Sequence, residues 1–160
     1  MHSELFRGLD EGTRTVLRDI PELIDTLFPL PARFRSGLPA DVRKLSHLLT
    51  DERDARKDGY LGKDAFQSAY LRYYLPWNLY RLCRLLPSLP FDLGDGDVVC
   101  DLGTGPLTLP LAFLISRPDL RNLEIEFRCV DRTAKILDAG VLLFETLREE
   151  YPCNWRIRPI

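Results

Sequence analysis

The stretch Asp101-Leu102-Gly103-Thr104-Gly105 has the residue types and spacing that could do chemistry. Two glycines one residue apart let a chain turn sharply and let a ligand approach the backbone with no Cβ in the way. Asp101 stands two residues before the first of them. A carboxylate at a strand tip there suits a cationic amino group and faces a phosphate poorly. That sign favours a sulfonium amino-acid cofactor, S-adenosyl-L-methionine, over a dinucleotide. A second carboxylate, Asp131, follows Gly105 by 26 residues. At the end of a neighbouring strand it can accept hydrogen bonds from both hydroxyls of a ribose. This spacing exceeds the roughly 20 residues of a compact unit, and the Pro-containing segment 117–122 supplies the excess. The candidate cofactor-binding residues are therefore Asp101, Gly103, Thr104, Gly105 and Asp131. Each also has a plainer reading: the glycines as a tight strand–helix turn, Asp101 as a turn cap, and Asp131 as the cap of a helix starting near Thr133.

Both acids must be placed by strands. Val98-Val99-Cys100-Asp101-Leu102 is a short apolar run of strand type, after the turn-rich bridge Asp92-Leu93-Gly94-Asp95-Gly96-Asp97. A helix is expected over 109–116, with Thr108 as its cap and Pro110 in its first turn. Residues 123–131 form a second strand candidate, and 133–151 a helix with Leu137, Gly140, Val141, Phe144 and Leu147 on one face. Gly140 costs about 1 kcal/mol relative to Ala inside a helix, which predicts a close helix–sheet contact. Residues 154–160 read as a third strand. Strand, helix, strand, helix, strand is half of a doubly wound parallel sheet. The expected fold class is α/β, with a partial Rossmann-like domain over 91–160. The later strands that face substrate in such folds do not follow, so the pattern reads as the N-terminal fragment of a longer domain and assigns no catalytic residue.

Residues 1–90 read as a helical region. Val16, Ile20, Leu23, Ile24 and Leu27 make an apolar stripe over 15–28, with a kink or a helix start expected near Pro21 and an end at Pro29 and Pro31. Pro39-Ala40-Asp41 opens a second helix carrying Val42, Leu45, Leu48 and Leu49. Gly59 and Gly62 bracket a loop, a further helix covers 64–75, and Pro76 marks a bend before Leu79, Leu82, Leu85 and Leu86.

Composition narrows the class. With 160 residues, 45% apolar and 29% charged, the chain is of ordinary globular make-up with room for one domain or a domain plus a helical piece. Net charge is -2. Residues 1–90 hold 14 Lys/Arg against 12 Asp/Glu, and residues 91–160 hold 8 against 12. Neither part advertises a nucleic-acid surface by net charge. Cys83, Cys100, Cys129 and Cys153 form no CxxC pair, so no metal site is expected; Cys100 and Cys129 read as small buried hydrophobes. No uninterrupted apolar stretch marks a leader or a membrane span, and a reducing cytoplasm is the expected compartment.

The run Asp101-Leu102-Gly103-Thr104-Gly105-Pro106 resembles the first motif of class I S-adenosylmethionine-dependent methyltransferases. Together with Ala69-Tyr70-Leu71-Arg72-Tyr73-Tyr74-Leu75-Pro76-Trp77-Asn78 upstream, and the segment Ser46-His47-Leu48-Leu49-Thr50-Asp51-Glu52-Arg53, it is similar to one subgroup. That subgroup is the ribosomal small-subunit methyltransferase-like family of mitochondrial ribosome assembly factors and bacterial relatives. The resemblance covers roughly residues 40–150 and implies S-adenosyl-L-methionine as cofactor, with ribosomal RNA or the small ribosomal subunit as target (rRNA methylation). Two departures stand out: Leu107 occupies the place of a third glycine, and Thr108 the place where a dinucleotide fingerprint wants its last small residue. Tyr70, Tyr73, Tyr74 and Asn78 are candidates for a lid over the cofactor or for core. Arg72, Arg81 and Arg84 are candidates for an RNA-phosphate face or for solvated charge. The rival functions are a non-catalytic ribosome-assembly protein that keeps the fold and an NAD(P)-dependent oxidoreductase.

Overall fold

The computed structural model describes residues 8–50 and 63–160; the loop expected at Gly59 and Gly62 lies outside the described residues. Helix α1 (Glu11–Leu27) begins before its apolar stripe, because Asp10 caps it by accepting the Thr13 N–H at 2.9 Å. Pro21 neither starts nor ends the helix, which runs through it. The short α2 (Ala32–Arg35) precedes α3 (Leu38–Thr50), whose first turn holds Pro39. Helix α4 (Asp64–Ala69) passes into a wide π-turn (Tyr70–Tyr74) and then into α5 (Leu75–Leu85). There the Leu75 N–H reaches back five residues to the Tyr70 carbonyl. The bend expected at Pro76 is thus a wider turn placed just before it. A proline has no N–H to give an ordinary α-turn, and a π-turn absorbs the mismatch without ending the helix.

After the bridge come β1 (Val98–Leu102), α6 (Thr108–Ser116), β2 (Glu126–Val130), α7 (Ala134–Glu150) and β3 (Arg156–Pro159). The three strands are parallel in the order β1-β2-β3, with Asp101 beside Cys129 and Leu102 beside Val130. The fold is therefore a helical region followed by a small parallel α/β sheet.

Helix α6 explains why the two parts hold together. It is apolar all round, and every residue from Pro110 to Ser116 is buried, as expected of a central helix. Helices α1 and α5 lie against it. The Thr13 hydroxyl donates to the Ile115 carbonyl at 3.3 Å, and the Cys83 thiol to the Ala112 carbonyl at 3.8 Å. One hydrophobic cluster runs from Ile20 and Ile24 through Leu75 and Leu79 to Leu111, Leu114, Phe127 and Phe144.

One face of the sheet is open. Alternation along β1 leaves Val98 50% and Leu102 76% exposed, and Cys100 between them is exposed too. The expectation that Cys100 is buried is therefore corrected, while Cys129, on the opposite face, is buried. A short apolar run has the same appearance whether one face or both are covered. On β2 and β3 the open face carries charge: Glu126 accepts from Arg128 at 2.9 Å and pairs with Arg158 at 2.8 Å. No helix among the described residues is long and apolar enough to cross a membrane.

Candidate functional site

Parallel pairing of β1 and β2 brings Asp101 and Asp131 to the same carboxyl edge of the sheet. Between them the chain curls through Gly103 (φ 76°), Gly105 (φ 58°) and Leu107 (φ 55°), all left-handed. Glycine adopts this conformation at little cost, whereas a leucine gives up roughly 1–2 kcal/mol. Leu107 is nevertheless fully buried, and burial of its side chain is worth roughly 1.5–3 kcal/mol, so burial offsets the strain. Leu107 also takes the cap position of α6, while Thr108 is the first helical residue and makes no capping bond. That corrects the expectation of a Thr108 cap: the left-handed turn at Leu107 starts the helix without one.

The loop spends its own donors. The N–H groups of Gly103 and Thr104 both bond to the Val130 carbonyl, at 2.8 and 3.1 Å. The Gly105 N–H donates to Asp131 Oδ2 at 3.0 Å. Pro106 has no N–H to offer. Asp131 Oδ1 accepts from the Thr133 N–H at 3.0 Å. The carboxylate of Asp131 thus clamps the glycine turn to the start of α7, where Thr133 is the residue in the cap position. Four acceptor sites on a carboxylate leave it capacity beyond these two bonds.

Asp101 is differently placed. Its Oδ2 is buried with no hydrogen-bond partner, and so is the Thr104 hydroxyl oxygen. Burial pushes the Asp101 carboxyl above its ordinary value of 3.8; the nearby Thr104 hydroxyl offsets part of this, and the Asp131 charge adds to the rise. A buried acceptor in this state is stabilised by an arriving cation or donor.

A cavity of about 370 Å³ opens at Asp101, lined also by Gly103, Thr104 and Thr108 from the loop side and by Tyr70 and Asn78 from the helical region. It falls in the range of roughly 300–1,000 Å³ usual for small-molecule sites. Of the five candidate residues, the structure places Asp101, Gly103 and Thr104 on its wall. Gly105 and Asp131 do not line it. Gly105 is buried beneath Tyr70, whose hydroxyl lies 3.4 Å from where a Cβ on that glycine would sit. The lid set divides. Tyr70 and Asn78 line the cavity, Tyr74 stacks on Tyr70 with ring centroids 5.5 Å apart, and Tyr73 is exposed.

Arg72 is removed from the arginine face. It pairs with Asp25 at 2.8 Å and donates to the Phe28 carbonyl at 2.6 Å, its side chain only 12% exposed. It fastens the π-turn to the end of α1. Arg81, by contrast, joins Leu82, Thr108 and Leu109 as cavity residues that sequence reasoning did not assign to the site. The available signal was the spacing of Asn78, Arg81 and Leu82, which at three and four residues share one helix face. Gly140 departs from expectation in its partner. A Cβ there would fall 2.4 Å from the Pro106 carbonyl carbon and 2.8 Å from the Leu107 nitrogen, so the close approach is helix to glycine loop, not helix to sheet.

No family model, curated protein or solved structure matches the chain.

Proposed function

We propose that the chain carries the S-adenosyl-L-methionine-binding half of a Rossmann-like class I methyltransferase fold. The observation that carries this reading is the buried, unpartnered Asp101 oxygen on the wall of a cavity beside a glycine turn. An ammonium group of an amino acid meets that oxygen with the right charge. Asp131 lies outside the cavity wall, at the neighbouring strand tip; with acceptor capacity beyond its two backbone bonds, it is the group assigned to the ribose hydroxyls of a cofactor reaching past the cavity along the sheet edge. The strand order β1-β2-β3, all parallel, agrees with one half of a doubly wound sheet. In methyl transfer a substrate nucleophile displaces the sulfonium sulfur from the methyl carbon. Such a step needs alignment above all, so these residues bind and orient and none is assigned a proton.

A dinucleotide is disfavoured by the same loop. Pyrophosphate sites offer free backbone N–H groups at the turn, and here Gly103, Thr104 and Gly105 already donate within the protein. A non-catalytic ribosome-assembly role is the second reading, favoured by the Tyr70 ring lying on Gly105. The target implied by the resemblance is ribosomal RNA or the small subunit in both readings.

Isothermal titration with S-adenosylhomocysteine and with NADH is the test. Binding of the first at micromolar concentration and not the second is the expected result; binding of neither, or of NADH alone, overturns the proposal. Transfer of a labelled methyl group to small-subunit RNA separates the enzyme from the assembly protein.

A further inference from the structure

The cavity at Asp101 has a second wall, and its chemistry is complementary to the first. Asn78, Arg81 and Leu82 enter it from one face of α5. The Arg81 guanidinium lies 4.9 Å from the centre of the Trp77 ring, four residues earlier, an arrangement that orients a planar cation. Among the described residues Arg81 makes no hydrogen bond or ion pair, although it shares the cavity with Asp101. An acid with a buried, unpartnered oxygen and a base with unused donors therefore line one space without pairing to each other. Leu82 and Leu109 are the apolar residues lining the same space.

We infer that Arg81, stacked on Trp77 and assisted by Asn78, takes the α-carboxylate of an amino-acid ligand whose ammonium group is held by Asp101. This rests on the cofactor reading above and adds to it the residues that select an intact amino-acid end. A guanidinium presents paired donors that match a carboxylate, and the Asn78 amide adds another. Leu82 and Leu109 suit the methylene carbons between the charged end and the sulfur. The helical region is thereby part of the binding site, not a neighbour of it.

Titrations with S-adenosylmethionine, its decarboxylated form and 5′-methylthioadenosine, on the full chain and on Arg81→Met and Asn78→Ala, test the assignment. Arg81→Met keeps the stem at an exposed position, and thermal melting checks that the fold survives. The wild-type chain should bind S-adenosylmethionine at least about tenfold more tightly than the decarboxylated form, the scale of a hydrogen bond to a charged group. Arg81→Met should erase that difference by weakening S-adenosylmethionine alone, and Asn78→Ala should reduce it. Equal weakening of both ligands by Arg81→Met, or no weakening of either, overturns the role of Arg81 and leaves the cofactor reading standing. Failure of the wild-type chain to bind any of the three overturns both.

Discussion

Asp101 carries a cost that a ligand would relieve. Its Oδ2 is buried without a partner, and burial raises its carboxyl above 3.8. A raised acid binds its proton more tightly in the folded chain than in the unfolded one, so the folded state loses stability as pH rises through that window. Asp101→Asn should therefore stabilise the ligand-free protein by about 1 kcal/mol at neutral pH, the scale of an unsatisfied buried polar group. The gain should shrink on acidification through the raised value and vanish below about pH 3.8, where both folded and unfolded wild-type carry the proton. Urea melts at pH 7 and pH 3.5 check this. Loss of S-adenosylhomocysteine binding in the same variant would mark the residue as kept for a ligand at the expense of the fold. This residue was legible in the sequence because strand, acid and paired glycines are adjacent along the chain. Arg81 was not, since its place in the same cavity as Asp101 arises from helix docking. Nothing about a leucine announces a left-handed backbone, so Leu107 was legible only as a departure from a glycine pattern.

The element that fixes the glycine loop is α7, through Gly140. An added methyl at that position would meet the Pro106 carbonyl carbon at 2.4 Å and the Leu107 nitrogen at 2.8 Å. Both are backbone atoms that cannot rotate aside. Gly140→Ala gains about 1 kcal/mol of helix propensity but forces helix and loop apart, and overpacking costs roughly 1–3 kcal/mol or more. With rigid backbone on the other side, a net loss of about 2 kcal/mol is expected, measured by chemical denaturation. Adding Leu107→Gly should not rescue it, because the nearest obstacle is the Pro106 backbone. Periodicity made the existence and order of these elements readable, and the special role of Gly140 as well. It did not give the partner, since a close approach to a loop and to a sheet leave the same mark on a helix.

Across the whole molecule, one core serves both the helical region and the sheet. Helix α6 is buried from Pro110 to Ser116, with α1, α5 and α7 against it and Phe113 packed on Phe127 of β2. A chain limited to residues 91–160 would expose that apolar helix, so it should show no cooperative thermal transition by circular dichroism, while the full chain melts in one step. The turn-rich bridge 92–97 precedes the passage from helices alone to alternating strands and helices. It could not reveal that both sides feed a single core, because burial of α6 by earlier helices is a matter of docking. The cavity inherits this arrangement: one wall belongs to the helical region and the other to the glycine loop. A molecule bridging them would act as a cross-brace, and its affinity would be read out as heat resistance. Ligand at a hundred times its dissociation constant should add about 2.7 kcal/mol to the unfolding free energy.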